Sequence, residues 1–125
     1  MLTLFQSYLS SIGVNVKEGN ETTISFENNG LQYLFMTDKD DPYYFRLLLP
    51  NIVSISKENE SKIISIINSS NAKFKVAKAI ILNDKVWISV EQFVYSKDNT
   101  INDLFNRALH LLETFIKDFR KELKS

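Results

Sequence analysis

Residues 74–94 read FKVAKAIILNDKVWISVEQFV, and this stretch decides the fold class. It consists of two apolar-rich runs, Phe74 to Leu82 and Lys85 to Val94, joined by Asn83-Asp84. Asn and Asp tolerate positive φ, so the pair suits a two-residue hairpin turn. That turn sets a register in which Leu82 faces Lys85, Ile80 faces Trp87, Lys78 faces Ser89, Val76 faces Glu91 and Phe74 faces Phe93. Side chains alternate between the two sides of a strand. One side then holds Ala77, Ala79, Ile81, Val86, Ile88 and Val90. The other holds Phe74, Val76, Ile80, Leu82, Trp87 and Phe93, interrupted by Lys78 and Glu91. A hairpin apolar on both sides needs cover on both sides. The chain's own helices supply one cover, and a second molecule is a candidate for the other.

Upstream, Leu2, Phe5, Leu9 and Ile12 recur at helical spacing and end at Gly13. Val14 to Val16 suits an extended segment and Lys17 to Asn20 a polar turn. Thr22 to Glu27 and Leu31 to Thr37 flank Asn29-Gly30, a strong hairpin signal. This turn places Phe26 opposite Tyr33 and Ile24 opposite Phe35, with Leu34 and Met36 on the reverse face. The acidic run Asp38 to Asp41 reads as a solvated turn. As a calcium loop it fails, because Leu49 stands where the terminal Glu belongs. Tyr43 to Leu49 is a third strand, ended by Pro50.

Ser56 to Ser70 has a helical pattern, with Ser56 as N-cap and Asn68 to Asn71 as its end. Its isoleucines at 63, 64, 66 and 67 form an arc wide enough to contact two surfaces. After a polar loop, Ser96 to Asn99, Thr100 opens a capping box to a helix running to about Leu123. The expected fold is therefore α+β. It is a mainly antiparallel five-stranded sheet with helices packed on it, in the order α-β-β-β-α-β-β-α, forming one domain over residues 1–125.

The totals narrow the function. Fifteen basic and fifteen acidic residues cancel. A neutral chain has no electrostatic footprint for nucleic acid or an anionic membrane, so neither is an expected partner. With no Cys, thiolate nucleophiles and Cys-ligated zinc are excluded. The one His, His110, lies at the margin of the last helix's apolar stripe and reads as a surface or semi-buried residue. Three scattered glycines make no phosphate loop, and no nucleophile elbow occurs. The chain is expected to be non-catalytic and to carry no cofactor or metal. Residues 1–10 lack a basic lead and a long apolar run, so the expected compartment is the cytoplasm.

The stretch from Ile63 through Phe93 resembles the YbjN-type family of bacterial domains, candidate sensory transduction regulators with the fold of type III secretion chaperones. The likeness rests on Ile66-Ile67-Asn68 and Asn71 at a helix end, then Phe74 and Val76, then the turn with Asp84 and Val86. What the resemblance implies is a non-catalytic, often dimeric domain that holds another polypeptide on its surface. On that reading Phe74, Val76, Ile80, Trp87 and Phe93 are the partner-binding or homodimer surface, with Ile63 and Ile66 as a second candidate. Each set can instead pack beneath the chain's own helices. The alternative function is a small-ligand sensor, with Tyr33, Phe35, Tyr43, Tyr44, Phe45 and Trp87 lining a pocket and Arg46 as its polar anchor.

Overall fold

The structure, a computed structural model, describes residues 1–98 and 100–125. Asn99 of the Ser96–Asn99 loop lies outside the described residues. The elements run α1 (Leu2–Ser11), β1 (Val16–Gly19), β2 (Thr23–Asn28), β3 (Leu31–Asp38), β4 (Asp41–Leu49), α2 (Glu60–Lys73), β5 (Lys78–Leu82), β6 (Lys85–Phe93) and α3 (Ile101–Lys124). The sheet has six strands, not five, in the order β1-β2-β3-β4-β6-β5, and every pairing is antiparallel. The added strand is β1, which includes the residues read as a polar turn. All four of its residues are exposed. It is held by backbone pairing to β2 and shows no apolar alternation for a reader to find.

Two turns set the registers. Asn29 and Gly30 have φ of 52° and 77°, and Asn83 and Asp84 have 52° and 60°. Positive φ at both central residues matches the right-handed twist of the strands they join. Phe26 pairs with Tyr33, Ile24 with Phe35 and Ile80 with Trp87 accordingly. Between β3 and β4 the acidic turn is stabilised locally. The Asp38 carboxylate accepts from the Asp40 N–H at 2.9 Å, and that of Asp41 from the Tyr43 N–H at 3.0 Å.

All three helices cover one face of the sheet. α3 lies centrally, flanked by α1 and α2, so it buries more than a narrow stripe. Leu109 and Ile116 are buried in addition to Phe105, Ala108, Leu112, Phe115 and Phe119. Beneath α3, the Phe5 ring stacks on Phe35 at 3.8 Å between centroids. The Phe105 ring stands edge-on to both, 5.0 Å from Phe5 and 5.8 Å from Phe35. The edge-on arrangement of Phe105 suits the ring quadrupoles. His110 is exposed on the outer side of α3. Among the described residues no helix is long and apolar enough to cross a membrane.

α2 departs from its expected limits. It starts at Glu60, and its N-terminus is organised by Asn59. The Asn59 side chain accepts from the Ser56 N–H at 2.7 Å and donates to the Ser54 carbonyl at 3.1 Å. It continues through Asn68–Asn71 to Lys73, so those asparagines do not end it. Asn71 has another use. Its Oδ1 accepts from the Ala79 N–H at 2.7 Å, and its Nδ2 donates to the Ala79 carbonyl at 3.0 Å. One amide side chain thus takes the place of a neighbouring strand along part of the outer edge of β5.

Candidate protein-binding surface

The face of the sheet opposite the helices has no cover. The strand registers build it in rows. Ser25, Leu34, Leu48, Ser89 and Lys78 form one row, and Thr23, Met36, Arg46 and Glu91 the next. Ile80 beside Trp87, and Tyr44 beside Phe93, extend the face at either end. Rows are about 7 Å apart along the strands, and neighbours within a row about 5 Å apart. Leu48, at the centre, is buried by the side chains around it. The outer residues are not: Ile80 is 47% exposed, Val76 48% and Phe93 58%. A groove of about 480 Å³ runs over Met36, Leu48, Val76, Ile80, Leu82 and Trp87. Beside it, sharing Met36 and Arg46, lies a more polar depression of about 860 Å³ bordered by Phe93, Tyr44 and the acidic turn.

The charged side chains at the centre of this face have partners. Arg46 Nη2 meets Glu91 Oε1 at 2.7 Å across the β4–β6 pair. Partial burial works against the Arg46 charge, but Tyr44 and Glu91 outweigh it and hold the guanidinium protonated. Lys78 turns its ammonium to the end of α2 and donates to the carbonyls of Asn71 and Phe74, each at 2.7 Å. The two charges that interrupt the apolar pattern in the sequence, Lys78 and Glu91, are therefore both engaged. Two buried donors on this face, Trp87 Nε1 and Arg46 Nε, have no acceptor among the described residues.

The structure divides the candidate residues. Val76, Ile80 and Trp87 line the groove, and Phe93 lines the adjoining depression. Phe74 does not share that face. It is the C-cap of α2, before β5 begins, and its ring packs 5.0 Å from Phe115 in the helix layer. Val76 at φ 68° turns the chain between them. The expected pairings of Val76 with Glu91 and Phe74 with Phe93 consequently do not form. Ile63 and Ile66 are core residues packed within the helix layer, with 0% and 7% exposure, and offer no surface. Of that arc, Ile64 is the exposed member.

The aromatic set proposed for a ligand pocket also separates. Tyr33, Phe35 and Phe45 are buried under the helices, while Tyr44 and Trp87 belong to the open face. Burial raises the Tyr33 hydroxyl pKa well above its usual value, with nearby Glu113 adding to the effect, so the group stays a neutral phenol. The residues missing from the sequence-based surface are Leu34, Met36 and Leu48. The signal was present, since Leu34 and Met36 are apolar on the reverse side of a strand whose other side is already apolar. Among the described residues no group of three or more acidic or histidine side chains is placed to hold a metal ion.

No family model matches the sequence, and no curated protein is similar to it. The fold is nevertheless that of a solved structure. The chain is similar to the crystal structure of YbjN, a candidate transcription regulator from E. coli, with a TM-score of 0.70 at 11% identity over 98% of this chain and 93% of that one. At that identity the likeness establishes the shared fold.

Proposed function

We propose that this YbjN-like α+β chain is a non-catalytic, regulatory or chaperone-like module that holds another polypeptide against the open face of its sheet, its first partner being a second copy of itself. The observation that carries the proposal is an uncovered, grooved apolar face whose central charged side chains are engaged, Arg46 with Glu91 and Lys78 with two backbone carbonyls. Exposed patches of this kind mark interfaces, and Trp is enriched where binding energy concentrates. A net charge of zero leaves no field to keep two copies apart. That YbjN is a candidate regulator accords with a regulatory role. Small-ligand sensing retains one supporting feature, the polar depression beside Arg46, whose size suits a metabolite. A thermal-shift rise with a metabolite would favour it.

The test is light scattering on the wild type beside Ile80→Glu and Phe93→Glu. Both residues are exposed, Ile80 by 47% and Phe93 by 58%, so a charge there leaves the monomer's core intact. The expected result is a wild-type dimer and folded, monomeric variants. A wild type that stays monomeric at high concentration refutes the homodimer.

A further inference from the structure

A second surface, in the helix layer at the β2–β3 turn, has the opposite character. Lys117, Arg120, Lys121 and Lys124 recur every three or four residues on α3 and share one side of it. They border a groove of about 480 Å³ whose floor is Leu31 and Ile116. All four side chains are exposed, and none has a carboxylate partner among the described residues. Like charges at this spacing on a helix repel one another and destabilise it.

The ordinary employment of such cations is at the carboxyl end of a helix, where they offset the dipole and bind the last carbonyls. Lys121 and Lys124 lie in the last turn of α3, and a further cation joins them there. Lys62 of α2 donates to the carbonyls of Leu123 and Ser125 at 2.9 and 2.8 Å. The acids nearby are also engaged elsewhere. Asp118 pairs with Lys73 at 2.9 Å. Glu113, the one carboxylate lining the groove, accepts from Asn29 Nδ2 at 3.0 Å. The four cations are left facing solvent around an apolar floor, spread over about 10 Å of helix.

We infer that this groove docks an acidic polypeptide segment, one that places two or three carboxylates around an apolar side chain. The apolar floor favours a peptide over a bare phosphate chain, and no aromatic residue lines the groove to stack a base. The site lies apart from the open sheet face and stands whether or not that face binds a second copy.

Fluorescence anisotropy tests the assignment with the full chain. The probes are a short labelled Glu-rich peptide containing Leu, its counterpart with Gln for every Glu, a labelled single-stranded DNA and vesicles containing phosphatidylserine. The Glu peptide is expected to bind roughly tenfold tighter than the Gln peptide, and less tightly as salt rises. The double variant Arg120→Glu/Lys121→Glu should lose roughly tenfold in affinity while keeping the wild-type circular dichroism spectrum. Lys57→Glu, a charge reversal in the loop before α2, should retain it. Equal binding of the two peptides, or undiminished binding by the double variant, overturns the inference. Tighter binding of the DNA or the vesicles than of the Glu peptide also overturns it.

Discussion

Removing the Asn71 side chain tests the account of the sheet's edge most directly. With a two-residue turn at Asn83-Asp84, the Leu82–Lys85, Ile80–Trp87 and Lys78–Ser89 pairs exchange hydrogen bonds, and the alternate pairs direct their backbone groups outward. Ala79 belongs to an outward pair, and Asn71 satisfies both its N–H and its carbonyl, at 2.7 and 3.0 Å. Ala79 is itself 2% exposed, so water replaces those bonds poorly. At about 1 kcal/mol net per bond, Asn71→Ala should destabilise the chain by about 2 kcal/mol. For a chain of this length that corresponds to a fall in Tm of about 8 °C. Urea denaturation should show a lower midpoint at an unchanged slope, since the surface exposed on unfolding hardly changes. Asn71→Asp keeps the acceptor but sets an oxygen against the Ala79 carbonyl, so it should be at least half as damaging as the alanine. Loss of less than about 0.5 kcal/mol in Asn71→Ala would refute the reasoning, because two made bonds at a buried residue are worth more than that. The consequence for function is that the Ala79 part of the β5 edge is closed to a partner strand.

Two further outcomes follow from packing and backbone strain. Phe105→Ala removes a ring with 0% exposure that touches Phe5, Phe35 and Phe45. It should cost about 3–5 kcal/mol in chemical denaturation, and a loss below about 2 kcal/mol would mean the aromatic cluster relaxes around the gap. Val76, β-branched, sits at φ 68° with 48% of its surface exposed. Asn accepts that conformation more readily, so Val76→Asn should raise stability by about 1 kcal/mol. A fall in the melting temperature would show that Val76 contributes more by contact than it loses to strain.

The sequence by itself determined the features that depend on neighbours in the chain. Asn29-Gly30 and Asn83-Asp84 accept positive φ at both turn centres, and each turn set the register of a hairpin through local geometry. The 3.6-residue period of α3 and the stop at Pro50 were legible for the same reason. Tertiary structure decided the rest. β1 has no apolar alternation, and only the β2 backbone beside it makes it a strand. Phe74 and Val76 continue the apolar alternation of the hairpin. Regular pairing nevertheless begins only at Lys78, and the left-handed turn at Val76 sends Phe74 to the helix layer. Ile63 and Ile66 look the same in sequence whether they face a partner or the core, and the packing of α2 against α3 buried them. The interaction surface itself combines residues from β3, β4, β5 and β6 that are far apart in the chain. Which apolar face stays open depends on where all three helices settle, and no local pattern encodes that choice.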